Sequence, residues 1–431
     1  NGLLVKNQVG LNELKIFLPI EIWFRVNIFT MQIPPFTLDR QFQEIGSEIE
    51  SEVSKVLKGG QYIGGQEIAK FEESFSNLIG VENTIGCNSG TDALVLALRA
   101  LDIGVGDEVI TSSFSFFATA EAISAVGANP VLVDIDPETY LINTELIEQE
   151  INSNTKAIMP VHLFGNAVNM TLIKSLAKKY DLKVIEDCAQ ATCTMWENSK
   201  VGSIGDIGCF SFFPTKNLGA AGDGGAVTTS DQKIAKKIRE LAVHGSPIRY
   251  HHTQIGYNSR LDTIQAAILN IKIKYISKWI NNRQKIANNY LDLLEKNPFI
   301  SFPKISSDSI SHSWNQFVIK LRNDKYFLNE DFSNLFDTDC KKYYSLRNLV
   351  KQQLFEKGIN SIIYYPIPIH AQIAYKNKNF SRTKLINTER ICTEVLSLPM
   401  FPEISYEEQV YVAENLNKVL KNCIEEIQIS A

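Results

Sequence analysis

The chain has 431 residues, of which 44% are hydrophobic, 21% charged and 10% aromatic, and its net charge is −5. That balance excludes a nucleic-acid binder, which carries a basic face, and no apolar run reaches the ~18 residues that a spanning helix needs. Seven cysteines, an odd number with no CxxC pair, fit a reducing cytoplasm rather than a disulfide framework.

Residues 1–30 precede the first methionine, Met31, and their apolar stretch is interrupted by Pro19, Glu21 and Arg25. They lack the basic start and unbroken apolar core of a secretory signal. We read them as an extension that carries none of the site, the rival reading being an amphipathic arm. From about residue 80, short β-branched runs alternate with helical stretches. NTIGC (83–87), DEVIT (107–111), NPVLVDID (129–136), TKAIMPV (155–161), LKVIED (182–187), IGCFSFF (207–213) and GGAVTTS (224–230) read as about seven buried, mostly parallel strands of an α/β domain, with helices on both faces. Arg260 to Lys296 reads as one long helical stretch. NPFISFPKISSDSISHS, which follows, reads as a linker, so the boundary falls near residue 290: a large domain over 31–290 and a smaller C-terminal α+β domain over 291–431. Within the latter, SWNQFVIKLR and NSIIYYPIPIH flank an irregular stretch at 323–343, and a terminal helix starts at Tyr406.

Ligands of open α/β sheets bind beyond the carboxyl ends of the strands, and there the residues are chemically unusual. Asn88-Ser89-Gly90-Thr91-Asp92 leads from the first strand into a helix. It suits an anion held by backbone N–H groups, or plain capping by Ser89 or Asp92. Phe114, Phe116 and Phe117 are either core or a ring that stacks on a planar ligand. Asp187, at the end of an apolar strand, either forms a structural ion pair or keeps a heteroaromatic nitrogen protonated. Lys216, in the loop Ser211-Phe212-Phe213-Pro214-Thr215-Lys216-Asn217-Leu218-Gly219, sits where desolvation lowers an amine's pKa, as a nucleophile requires. A phosphate cradle, a stacking ring, a carboxylate and a reactive lysine are together what pyridoxal phosphate needs. No GxxxxGK[ST] or GxGxxG motif competes. Cys188, Cys193 and Cys209 lack zinc spacing, and no metal is expected.

These segments, with GGQYIGGQEIAKFEESF, NSGTDALVLAL, FATAEAI, PVHLFG, VIEDCAQA, GCFSFFPTKNLGAAGDGG, GYNSRLDTIQAAIL and YYPIPIH, resemble the DegT/StrS family of pyridoxal-phosphate-dependent nucleotide-sugar aminotransferases over about 36–420. The resemblance implies a type I aminotransferase-like fold, an amino-acid donor (L-glutamate), a nucleotide-activated keto-sugar acceptor and a homodimer with shared active sites. It makes Lys216 the internal-aldimine lysine and Asp187 the partner of the ring nitrogen. Gln190 goes to the ring hydroxyl and Phe116 to the ring face. Ser89, Gly90, Thr91 and Ser211 surround the phosphate, joined by Asn258 from the neighbouring subunit. HGSPIRYHH is similar to members that aminate carbon 3 of UDP-linked acetamido sugars, with Arg249 and His251 or His252 near the sugar. Tyr365 and His370 of YYPIPIH would come toward the substrate from the small domain, His370 being equally a packing residue that caps the strand. Tyr62 is a further substrate candidate. The pattern departs at Ser113, where the family usually has proline. The alternatives are a pyridoxamine-type sugar dehydratase, which replaces the lysine by histidine, and a non-catalytic cofactor-binding regulator.

Overall fold

The computed structural model describes residues 31–307, 310–322, 346–375 and 383–430. The first five strands are β1 (Asn83–Cys87), β2 (Glu108–Ser112), β3 (Asn129–Val133), β4 (Thr155–Met159) and β5 (Lys183–Asp187). A hairpin of β6 (Met195–Trp196) and β7 (Ser199–Lys200) follows, then β8 (Ile207–Ser211) and β9 (Gly225–Thr229). Leaving out the hairpin, seven strands form one sheet in the order β1-β9-β8-β5-β4-β2-β3. Each of the seven apolar runs supplies one of these strands.

Neighbouring residues along a strand land on opposite faces, and both faces here are covered. Val109, Ala157, Met159, Ile185, Cys209 and Val227 join one core with α3 (Gly90–Ala100), α4 (Ala118–Ala125) and α7 (Gln232–Ala242). Ile110, Ile158, Val184, Phe210 and Ala226 join another, with α2 (Gln66–Ile79), α6 (Met170–Tyr180) and α8 (Thr263–Lys272). Two covered faces explain why the strands read as near-continuous apolar runs rather than as alternating ones. The short α5 (Thr144–Ile147) and the long α1 (Asp39–Gly59) complete this part, α1 packing on α8.

β9 alone runs antiparallel to its neighbours β1 and β8. No crossover helix separates it from β8, and a parallel pairing would need one. The loop between them therefore turns at the edge where β1, β2, β4, β5 and β8 all end. That loop carries Lys216.

A third core, that of the small domain, gathers Ile286, Tyr290 and Leu294 of α9 (Ile276–Leu294) with a three-stranded sheet, β10 (Ile300–Ser301), β12 (Phe317–Leu321) and β13 (Val395–Leu398). α10 (Leu346–Glu356) and α12 (Tyr406–Ser430) pack on it, and Ile33 from the start of the described chain is fully buried within it. α11 (Ile386–Glu394) lies between this unit and the main sheet. Its Asn387 and Thr388 N–H groups donate to Asp134, just past β3, at 2.9 and 2.8 Å. Ser113 takes part in the same junction, its hydroxyl bonded to that of Thr388 and to the Val133 carbonyl.

Two expectations need correction. Arg260–Lys296 is two helices rather than one stretch. The Lys274 and Tyr275 N–H groups turn to the carbonyls three residues back, freeing α9 to leave α8, which lies against α1 and α2, and reach the small-domain core. No glycine or proline marks the break. NPFISFPKISSDSISHS is no free linker either. Ile300–Ser301 pairs with β12, while β11 (Ile310–Ser311) pairs with β6 of the large domain. Residues 1–30, and the irregular stretch from Asn323 to Lys342, lie outside the described residues.

Candidate active site

At the carboxyl edge of the sheet lies a cavity of about 540 Å³, lined by Ser89, Gly90, Thr91, Phe116, Asp187, Gln190, Ser211, Lys216 and Tyr365, among others. Its size suits a small cofactor with room for substrate. β1 delivers the start of α3, where Ser89 Oγ accepts from the Asp92 N–H at 3.1 Å. Ser89 is thus the cap of α3. The Gly90 and Thr91 N–H groups of the first turn have no carbonyl of their own helix to bond, which leaves them for an anion favoured by the helix dipole. Gly90 is required here because a Cβ would stand 2.6 Å from Ser211 Cβ. Gly90→Ala is expected to push α3 away from the end of β8 and weaken cofactor binding about tenfold. An equilibrium titration of the apoprotein with the cofactor, beside a melting curve, checks this.

The Lys216 loop is tightly closed. Lys216 N–H donates to the Phe213 carbonyl at 2.9 Å, and the Ala220 N–H returns to the Phe212 carbonyl at 2.7 Å. Asn217 Nδ2 donates to the Ser313 carbonyl at 2.8 Å, tying the loop to the small domain. At Gly219 a Cβ would lie 2.2 Å from the Pro214 carbonyl oxygen, so the turn admits only glycine. Burial lowers the Lys216 amine from 10.5 to about 8, against the opposing pull of Asp187. An amine in that range is neutral often enough to act as a nucleophile and proton carrier near neutral pH.

Asp187 is nearly fully buried, and burial raises its pKa. The Thr119 hydroxyl, at 2.8 Å, and the Ala189 N–H, at 3.2 Å, donate to it and work in the other direction, as do the charges of Lys216 and His162. Thr119 was not singled out in the sequence. It lies in FATAEAI, but only the folded chain brings α4 against the end of β5. Beneath Asp187 stands a buried knot: Val168 N–H donates to His162 Nδ1 at 3.1 Å, which leaves Nε2–H for Glu186 at 3.1 Å. Glu186 also accepts the Ile204 and Gly205 N–H groups at 2.8 and 2.7 Å. His162, Glu186 and Cys188 bring possible ligand atoms within 4.8 Å of one another. Both histidine nitrogens are already engaged, however, so the trio is a hydrogen-bonded support rather than an open metal site.

Of the three phenylalanines, Phe114 is core and Phe117 packs on Tyr375, whereas Phe116 is 59% exposed within the cavity wall. A large ring open to a polar-edged cavity is what a stacking partner would cover. His370 pairs through Nε2 with Glu389 at 3.1 Å and does not line the cavity. Tyr62, Arg249, His251 and Asn258 also stand outside the cavity, all exposed. The Tyr62 hydroxyl donates to the Leu57 carbonyl at 3.2 Å, and the Arg249 guanidinium lies over the Tyr250 ring at 5.0 Å. Asn258 caps no helix: it bridges to Val243, and the capping position of α8 is Asp262.

A lysine of lowered pKa, a buried carboxylate, an exposed ring and a helix N-terminus around one cavity define an enzyme that holds a phosphorylated heteroaromatic aldehyde. The chain belongs to the DegT/DnrJ/EryC1/StrS aminotransferase family, which it matches over residues 43–417. It is a sugar aminotransferase with pyridoxal 5′-phosphate as cofactor. The UDP-N-acetyl-3-dehydro-alpha-D-glucosamine 3-aminotransferase of Acidithiobacillus ferrooxidans is 42% identical over 90% of this chain and 98% of its own. The dTDP-3-amino-3,6-dideoxy-alpha-D-galactopyranose transaminase of Aneurinibacillus thermoaerophilus is 43% identical over 86% of this chain and 95% of its own. Among solved structures, NtdA from Bacillus subtilis with bound cofactor PMP superposes with a TM-score of 0.78 at 32% identity, covering 90% of this chain and 83% of that one. No helix among the described residues is long and apolar enough to cross a membrane.

Proposed function

We propose that the enzyme moves the amino group of L-glutamate to the ketone of a nucleotide-activated sugar, with a UDP-linked 3-keto sugar as acceptor. The product would serve amino-sugar or cell-surface polysaccharide synthesis in the cytoplasm. The observation that carries this reading is the Lys216 amine, brought down to about 8 in one cavity with Asp187. Pyridoxal phosphate, when bound, supplies an electron sink for the carbon that loses its proton and carries the amine between the two halves of the reaction. Lys216 Nζ would hold the cofactor through its aldehyde group. As an amine lowered to about 8, the same nitrogen would also accept and return the proton of the donor α-carbon. Asp187 holds the proton on the ring nitrogen, with Thr119 and the Ala189 N–H stabilising its ionised form. Phe116 covers the ring, and the α3 N-terminus with Ser211 fixes the phosphate.

Both relatives' names place the new amine on carbon 3, and they differ in the nucleotide. That agreement supports carbon 3 as the acceptor position. The test is an absorbance titration in which L-glutamate bleaches the visible band, followed by turnover of a panel of UDP- and dTDP-linked 3-keto and 4-keto sugars. A cofactor band that no amino acid bleaches, or a panel yielding no amino sugar, would sink the reading.

We also assign a homodimer with shared sites. Asn258 is exposed and absent from its own cavity, and the apolar Ile248, Tyr250 and Ile255 beside it are each more than two-thirds exposed. On this reading Tyr62, Arg249 and His251 serve the partner's sugar, and Asn258 donates to the partner's phosphate. Loss of that one bond costs about 1 kcal/mol of cofactor affinity. A mixed dimer of Asn258→Ala with Lys216→Ala discriminates. Across a shared interface one site carries both lesions and the other neither, so about half the wild-type activity survives. If Asn258 serves its own subunit, the intact lysine sits beside the defective asparagine. The mixed dimer then shows the weakened cofactor affinity of the asparagine variant.

A further inference from the structure

Tyr365 enters the cavity from the small-domain side, between α10 and α11. By resemblance it faced the sugar. In the structure its hydroxyl is engaged with Gln190 in the cavity wall, in a chain whose donors and acceptors can be assigned. Phe164 N–H, which can only donate, reaches Gln190 Oε1 at 2.8 Å. That fixes the orientation of the amide, so Nε2 is the end that donates to Tyr365 Oη at 2.8 Å. The phenol oxygen thus accepts one hydrogen bond and its own proton remains to be placed.

The chain is held firmly at its origin. Phe164 has φ of 59°, a left-handed conformation that phenylalanine rarely adopts. The Asn315 N–H on the Phe164 carbonyl at 2.9 Å and the Ser313 N–H on the Gly165 carbonyl at 3.0 Å hold it there. The Tyr365 ring meets Phe114 nearly edge-on at 6.0 Å and Phe116 at 6.1 Å. Burial raises the phenol's pKa, so it stays a donor throughout the working range.

The cofactor's polar atoms can be matched to the cavity one by one: ring nitrogen to Asp187, phosphate to the α3 N-terminus and Ser211, aldehyde to Lys216. Its ring oxygen, which the resemblance gives to Gln190, is left, and Tyr365 Oη, hydrogen-bonded to that same amide, is a donor beside it whose proton is not yet placed. We infer that Tyr365 donates to the ring oxygen of bound pyridoxal phosphate, so that the small domain supplies a positioning residue for the cofactor rather than a contact to the sugar. This rests on the cofactor assignment above.

The test uses the apoprotein and two probes, pyridoxal 5′-phosphate and its 3-deoxy analogue, which lacks only that oxygen. Wild type should prefer pyridoxal phosphate roughly tenfold or more, as a hydrogen bond to a charged oxygen implies. Tyr365→Phe keeps the ring contacts. It should lose most of the preference by weakening pyridoxal phosphate alone, with the analogue's affinity held within about twofold. Gln190→Leu, which removes both the residue that orients the phenol and a second donor for the ring oxygen, should lower the preference at least as far. Because each preference is a ratio within one protein, a general loss of stability cancels. An unchanged ratio in Tyr365→Phe overturns the tyrosine's role and leaves the cofactor assignment standing. A wild type that binds neither probe overturns both.

Discussion

Lys216→Ala is expected to lower turnover by roughly 10³-fold or more, since one nitrogen both holds the cofactor and carries the proton. The fold should survive, because the cavity is shaped by strand ends and by the closed turn from Phe212 to Gly224. Single-turnover kinetics with L-glutamate would read the loss, and a variant with retained activity would remove the lysine from its role. The same residue links activity to stability. Its folded-state pKa, about 8, lies below the ordinary 10.5, so the folded apoprotein binds fewer protons than the unfolded chain between these values. Stability therefore rises with pH through that window, and the penalty is fully present below about 8. Lys216→Met, which keeps the apolar stem, should stabilise the apoprotein at neutral pH. The gain should be below the ~3 kcal/mol that the full shift represents, since the side chain is partly open to the cavity. Denaturant melts at pH 7 and at pH 10.5 should show the difference shrinking at the higher pH.

Asp187→Asn is the second large effect. The asparagine fits the same space and can still accept from Thr119, but it carries no charge to hold a proton on the ring nitrogen. Turnover should fall roughly 10³-fold, as expected when transition-state charge loses its preorganised partner, while cofactor uptake persists. A pyridoxal phosphate analogue methylated on the ring nitrogen carries its positive charge without a partner. It should restore a large part of the rate to Asp187→Asn and add nothing to wild type. Absence of rescue would mean that Asp187 acts by shaping the cavity alone.

The two residues were legible for different reasons. Lys216 stands in a glycine-bounded loop directly after an apolar strand, a setting foreign to surface lysines. Asp187 ends an apolar strand, where a carboxylate is costly. What supports them was not legible. Thr119 stands 68 positions from Asp187, and Gln190 stands 175 from Tyr365. Neither separation leaves a mark on local periodicity. For His370 the motif left a substrate contact and a packing role open, and the partner it finds is Glu389 of α11.

By itself the sequence determined the seven strands, the covered sheet and the reactive edge, because these follow from local alternation, strand length and the residues that begin each turn. The division of Arg260–Lys296 into α8 and α9, the reversal of β9 and the recruitment of Ile33 into the small-domain core were decided only in three dimensions. In each, a segment of adequate local propensity is directed by the apolar surface awaiting it elsewhere: α9 by Phe317 and Leu420, Ile33 by Ile359. The same holds for the orientation of Gln190. It depends on a backbone N–H whose direction is set by contacts from Ser313 and Asn315, about 150 residues away along the chain.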